Sequence, residues 1–416
     1  MGYVTAEAPT RTELSTCVQC GLCLPHCPTF RLTGMETASP RGRLMAMSAV
    51  LEGVAEVDDV FAEIIDFCLG CRACEAVCPG LTPYGRLLEG ARAEIAVQHP
   101  TRARRLRRWL LGRALGNRTA VAAATAVAAV AQRTGVGRIL PGPIRRSFAG
   151  LRRLEGRERW VGRRAEPVGE VRGTVALLAG CVMEPWFPQV HEATVGLLRR
   201  AGYRVVVPRR QTCCGALAAH DGHAADAHRM ARRNVVAFAG ADLVVADAAG
   251  CSAHLKEYGH WAGEAGAGLA ERVRDVTELV AELIEGDLLP RLALPRGPVA
   301  VQDPCHLRHA QRIIEAPRTI LRAAGYEPVE IDVDAMCCGA AGTYAILRPD
   351  TSLELGERKA DQIRTSGSTI VASANPGCEM QLRSLLGPAY RVAHPVELYW
   401  EALVESTGRI RSEVGG

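Results

Sequence analysis

Cys17, Cys20, Cys23 and Cys27 fall within eleven residues and are closed by Pro28; Cys68, Cys71, Cys74 and Cys78 repeat the pattern and are closed by Pro79. Both runs follow C-x2-C-x2-C-x3-C-P, the spacing that holds [4Fe–4S] clusters in two-cluster proteins. Three thiolates at two-residue gaps wrap a tight loop around one cubane, and the fourth heads away to the other. The spacing therefore predicts Cys17, Cys20, Cys23 and Cys78 on one cluster, with Cys68, Cys71, Cys74 and Cys27 on a second. Gly21 and Gly70 suit loops whose backbone must approach the sulfides closely. Pro28 and Pro79 are expected to stop the chain running on as helix through the ligand. Zinc sites place their cysteine pairs far apart rather than three and one, and structural disulfides fit neither the spacing nor a reducing compartment.

The other eight of the sixteen cysteines are Cys181, Cys213, Cys214, Cys251, Cys305, Cys337, Cys338 and Cys378. Residues 175–214 and 299–339 read alike, VALLAGC…AGYRVVV…TCCG against VAVQDPC…AGYEPVE…MCCG. Cys181 to Cys305 and Cys213 to Cys337 are both separated by 124 positions. Each copy continues through an apolar run to a glycine and a cysteine, at Cys251 and Cys378, and closes on similar segments, 276–284 and 395–403. This is an internal duplication. Four thiols recurring at the same places in both copies point to a metal or cluster role more than to cysteines packed as small hydrophobes. Gly215 and Gly339 would let adjacent cysteines share one site from a turn. His254 and His306 stand close by, as ligands or, on the plainer reading, polar neighbours.

The elements that must position these groups follow from periodicity. Residues 40–53 and 57–68, between the first two runs, carry helical spacing. Within each copy, short apolar runs alternate with helical patterns, which predicts a parallel α/β unit with its cysteines just after the strands. The fold class expected is thus multidomain α+β and α/β: a mainly helical dicluster domain over 1–98, a basic, Ala-rich segment over 99–172, and two α/β repeats over 173–291 and 292–416. The glycine-rich 263–268 lacks a preceding strand and is expected to be a loop rather than a dinucleotide site.

Composition sets the frame. The chain has 416 residues, 48% hydrophobic and 23% charged, with a formal net charge of +5, ordinary values for a soluble protein. The N-terminus shows no basic region followed by an apolar run, and Ala120–Ala131 is too short to span a bilayer; a cytoplasmic protein is expected. Between Glu94 and Glu155 there are thirteen arginines and no acidic residue. Within 102–118, Leu106, Trp109 and Leu110 lie among arginines with helical spacing, as in a helix resting on an anionic membrane, docking an acidic partner, or simply forming a solvated linker. Nucleic acid is not an expected partner at this net charge and without a recognition motif.

These residues carry a resemblance. The two cysteine runs, SPRGRLMAMSAVLEG (39–53), PYGRLLEGAR (83–92), GCSAHLKEYG (250–259), CHLRHAQ (305–311) and CCGAAGTYA (337–345) resemble the iron–sulfur subunits of bacterial glycolate oxidase, nearly end to end. Subunits of lactate utilisation and of anaerobic glycerol-3-phosphate dehydrogenase are similar. The duplicated half resembles the cysteine-rich CCG domain of heterodisulfide reductases, where a fifth cysteine completes a noncubane cluster; here that position is His254 in one copy and Gln381 in the other. The resemblance implies two [4Fe–4S] clusters, an additional cluster or metal in the CCG half, FAD-containing partner subunits, and a downstream acceptor such as a membrane quinone. Cubanes take one electron each, whereas 2-hydroxy-acid oxidation needs a two-electron acceptor; with no flavin or nicotinamide site legible, no catalytic side chain is assigned. The rival readings are a CCG subunit doing thiol–disulfide or quinone chemistry itself, which the missing fifth cysteine disfavours, and an iron–sulfur sensor, for which no signalling module is present.

Overall fold

The computed structural model describes residues 2–110, 116–139, 141–154, 159–331 and 336–414. Part of the basic stretch, 111–115, lies outside the described residues. The N-terminal part is helical, as its periodicity requires. Ser39 caps the helix Pro40–Leu51 by accepting from the Gly42 N–H at 2.9 Å, and Asp58 caps Asp59–Asp66 through the Phe61 N–H at 2.8 Å. Their apolar faces, with Met47, Val50, Phe61 and Ile65, pack on Leu87, Leu88 and Ile95 of the helix Tyr84–Gln98. Each such fully buried aliphatic side chain contributes about 2 kcal/mol. Pro28 is the first residue of a short helix, Pro28–Thr33, that starts beyond the extended Cys27 and leads away from it, so no helix runs through the ligand.

The remainder holds two sheets. The first contains β1 (Arg164–Ala165), β2 (Gly173–Leu178), β3 (Tyr203–Val206), β4 (Leu243–Ala246) and β5 (Val273–Asp275), in the order β1-β3-β2-β4-β5. The second contains β6 (Gly297–Gln302), β7 (Tyr326–Glu330), β8 (Ile370–Ser373) and β9 (Arg391–Ala393), in the order β7-β6-β8-β9. Apart from β1, which runs antiparallel to β3, every pairing is parallel. The two orders are the same once β1 is set aside, so the sequence duplication is a duplication of topology. Short apolar strands suit this arrangement because crossover helices cover both faces of a parallel sheet.

Helices Pro188–Arg200, Val276–Glu285, Glu315–Ala323 and Pro395–Val414 join the two repeats through one core, built on Val190, Leu198, Leu283, Ile320, Leu398 and Tyr399. The approach is close enough that a Cβ on Gly196 would stand 2.4 Å from the Trp400 ring. Ahead of the repeats, buried Arg152 reaches across to Glu379 at 2.7 and 2.9 Å and to Glu397 at 2.9 and 2.7 Å, clamping the basic segment to the second repeat. The expectation of a loop at 263–268 is corrected. Those residues belong to the helix Tyr258–Ala270, which breaks its geometry only at Ala262 and Gly263; small residues there let the two halves pack without a loop.

Candidate iron–sulfur and CCG centres

The two N-terminal runs fold as the same loop. Residues two and four places after the first cysteine take positive φ in both: Gln19 (55°) and Gly21 (84°) in one, Gly70 (67°) and Arg72 (62°) in the other. Glycine therefore relieves a different turn of each loop, while Gln19 and Arg72 bear about 1 kcal/mol or more of left-handed strain. Arg72 is held there by Glu75 at 2.9 and 2.8 Å and by an ion pair to Glu257.

These loops line two adjoining cavities. One is walled by Cys17, Cys20, Cys23 and Cys78, with Leu44 and Tyr84. The other is walled by Cys27, Cys68 and Cys71, with Arg43 and Thr29, and Cys74 borders both. The structure thus brings the predicted three-plus-one sets together, each borrowing its fourth cysteine from the other run. Donors surround the second set: Gly70 N–H and Tyr84 O–H reach Cys68 Sγ at 3.4 and 3.6 Å. Arg43, fully buried, places Nη1 4.0 Å from Cys27 Sγ while bonding Thr29 Oγ1 and the Ile64 carbonyl at 3.0 and 2.9 Å. Burial pushes the Cys68 thiol up, but the guanidiniums of Arg43 and Arg92 outweigh it and bring it below its usual value. Burial drives Cys71 and Cys74 well above theirs. A donor set of buried thiols with cations and N–H groups around them fits a thiolate-bound cluster.

In the duplicated half, every cysteine lies at the C-terminal edge of its sheet. Cys181 Sγ stands 3.4 Å from Cys213 Sγ, and Cys214 Sγ 3.3 Å from Cys251 Sγ. The second repeat pairs Cys305 with Cys337 and Cys338 with Cys378 in the same way. Gly215 (φ 100°) and Gly339 (φ 82°) turn the chain just after each adjacent pair, and the adjacent thiols themselves meet, Cys213 with Cys214 and Cys337 with Cys338. Among the described residues no three Cys, His, Asp or Glu side chains converge as ligands of a single metal ion; in each repeat the two pairs join through the adjacent cysteines, so the four thiols form one contiguous group. His254 is buried against this set, and burial pushes its pKa down to about 4, leaving the ring neutral. His306 stacks on His220 at 5.2 Å, and His220 bonds Glu89 at 2.7 Å.

The two halves meet at these sites. Cys71 and Cys305 pack on one apolar cluster with Leu69, Met336, Cys337 and Tyr344. Arg92 donates to the Cys68 carbonyl at 2.6 Å and to the His220 carbonyl at 2.8 Å, and Tyr344 O–H donates to the Phe67 carbonyl at 3.1 Å. Reading the residues singly did not mark out Arg43, Tyr84, Arg92 or His220; the only signal was that the first three fall in the PRGR and PYGRLLEGAR stretches.

Comparison with known proteins agrees with this geometry. Residues 13–80 match the family model of a 4Fe-4S dicluster domain, and residues 175–256 and 299–383 each match that of a cysteine-rich domain. The chain is 33% identical to the probable glycolate oxidase iron-sulfur subunit of Bacillus subtilis (strain 168), over 95% of both chains. It is 32% identical to the glycolate oxidase iron-sulfur subunit of Escherichia coli (strain K12), over 94% of both. Lactate utilization protein A of Geobacillus kaustophilus is 29% identical over 54% of this chain and 97% of its own length.

Proposed function

The chain belongs to the family of glycolate oxidase iron–sulfur subunits, and from that premise we propose that it is the electron-transfer subunit of a flavin-dependent 2-hydroxy-acid dehydrogenase whose substrate is glycolate. Its eight N-terminal cysteines, in the sets described above, would hold two [4Fe–4S] clusters, and Cys181, Cys213, Cys214, Cys251, Cys305, Cys337, Cys338 and Cys378 would hold a further cluster or metal. The dicluster domain is taken as 1–98, the connecting segment as 99–172 and the repeats as 173–291 and 292–416. A bound cubane supplies one-electron chemistry and no hydride acceptor, so substrate oxidation is assigned to a partner carrying FAD.

The single observation that carries this reading is the shared wall of Cys71, Cys305 and Cys337. It sets the second N-terminal cysteine set directly against the second repeat, the placement a relay needs and a storage protein does not. The chain's own residues contribute position and charge: Arg43 and Arg92 beside the second set, and apolar Leu69, Met336 and Tyr344 excluding water between the halves.

On this reading the downstream acceptor would lie at an anionic membrane surface, which the exposed face of the basic segment supports. In the helix Arg102–Arg108, Arg104 and Arg107 turn inward to Asp66 at 2.8 Å and Asp221 at 3.2 Å, while Leu106, Trp109 and Leu110 are exposed by 59, 55 and 43%. Apolar groups facing outward beside exposed Arg102 and Arg105 suit a lipid interface. Among the described residues no helix is long and apolar enough to cross a membrane.

The test is anaerobic purification with iron, sulfide and zinc quantified in the wild type and in Cys213→Ala/Cys337→Ala. More than about eight irons, falling to about eight in the double variant, is expected. Fewer than about eight in the wild type would overturn the reading. Mixing with the FAD subunits and glycolate should then bleach the cluster absorption faster than lactate does.

A further inference from the structure

His254 has no partner that accounts for its burial. It is 1% exposed, and neither ring nitrogen has a hydrogen-bond partner. Leaving a buried polar atom unsatisfied costs about 1–3 kcal/mol, so two on one ring call for an explanation. The neighbouring polar groups are engaged elsewhere: Tyr258 O–H donates to the Cys214 carbonyl at 2.6 Å, and His220 bonds Glu89. The rings of Tyr258 and Trp261, centred 5.7 and 5.4 Å away, wall the imidazole in.

Its placement explains what it faces. His254 follows Cys251 by three residues on the helix Ala249–Lys256, so the two side chains leave the same helix face. Cys251 meets Cys214 at 3.3 Å. His254 Nε2 lies 3.2 Å from where a Cβ on Gly215 would stand, against the turn that carries Cys213 and Cys214.

We propose that His254 is a ligand of the iron–sulfur centre held by Cys181, Cys213, Cys214 and Cys251, so that the first repeat binds its centre through imidazole as well as thiolate. This rests on the iron–sulfur reading of the chain. The second repeat has no counterpart: Gln381, three residues after Cys378, spends its amide N–H on the Ser352 carbonyl at 3.2 Å and on Ser352 Oγ at 3.3 Å. The duplicated halves therefore diverge in chemistry. A neutral imidazole carries no charge where a thiolate would carry one, and ligation by histidine raises a cluster's potential. Compared with a thiolate at the same position, His254 makes the first repeat's centre the more readily reduced.

The experiment uses full-length chain grown on nitrogen-15 histidine, purified anaerobically and examined by pulsed EPR in oxidised and dithionite-reduced forms, with iron counted on the same samples. The wild type should show the hyperfine coupling of a metal-bound nitrogen. His254→Ala should lose it; His306→Ala should keep it. His254→Cys should retain iron, lack the coupling and be reduced at lower potential, which separates ligation from folding. Coupling that survives in His254→Ala, or that is absent from a wild type holding more than about eight irons, overturns the proposal. A wild type with only about eight irons also overturns it, because the repeat is then empty while the two N-terminal clusters stand. Loss of those eight would instead sink the iron–sulfur reading itself.

Discussion

At the scale of single residues, Arg43 shows how a fold prepares a cavity for charge. A guanidinium with no exposed surface is costly to bury, and its bonds to Thr29 and the Ile64 carbonyl satisfy only part of it. The remaining nitrogen points toward Cys27, and its field also reaches Cys68. A fixed cation there stabilises thiolates and any added electron beside them. Replacing Arg43 by Met should lower the midpoint potential of the cluster served by Cys27, read by EPR-monitored titration, and cost about 3 kcal/mol of stability. Arg43→Lys keeps the charge and should recover most of the potential. An unchanged midpoint in an iron-replete Met variant would show that the arginine serves packing alone.

At the scale of elements, the two repeats end on matched helices with different caps. Asp275 caps Val276–Glu285 through a capping box with Glu278. The matching residue before Pro395–Val414 is His394, whose Nδ1 accepts from the Val396 N–H at 3.2 Å while Nε2 is left without a partner. Burial holds His394 neutral and pushes its pKa down to about 4, with Asp247 and Glu397 pulling the other way and Arg152 and His191 adding to the fall. An unfolded chain takes up the proton near pH 6.5, the folded chain only near 4, so stability is lost as pH falls through that window. The loss amounts to on the order of 3 kcal/mol. His394→Asn, which can cap but not titrate, should flatten the decline between pH 6.5 and 4, measured as urea midpoints against pH. Parallel curves for the two proteins would remove His394 from the account of acid sensitivity.

At the scale of the whole molecule, the dicluster part is fastened to the repeats at several independent points. Glu7 receives His228 at 2.9 Å and His260 at 2.8 Å, Arg92 ties two carbonyls together across the joint, and a Cβ on Gly222 would lie 2.2 Å from the Arg92 carbonyl. Such an interface keeps cysteine sets in a constant relation, as electron transfer demands. The same body presents Leu106, Trp109 and Leu110 outward from a helix whose arginines are partly spent inward. Changing these three to Ser should reduce co-sedimentation with anionic phospholipid vesicles about tenfold or more, since removing three apolar anchors forfeits several kcal/mol of burial. Iron content should be unaffected. Equal sedimentation of both proteins would mean the patch meets no lipid.

Local chemistry was legible from the chain itself. Cysteine spacing named two three-plus-one sets, periodicity placed the helices beginning at Pro40 and Asp59, and the 124-residue offset announced two repeats of one topology. These are short-range features: a loop, a turn of helix or a strand is encoded within a dozen residues. Strands β5 and β9, three residues each, were too short to carry a period, and 263–268 read as a loop because glycine content conceals a helix held by packing. The rest depends on residues far apart in sequence. That Cys71 faces Cys305, that Arg152 bridges Glu379 and Glu397, and that His254 is buried with no partner are consequences of tertiary packing. No local pattern records them, because burial and partner choice are properties of the folded surface that surrounds a side chain rather than of its neighbours in sequence.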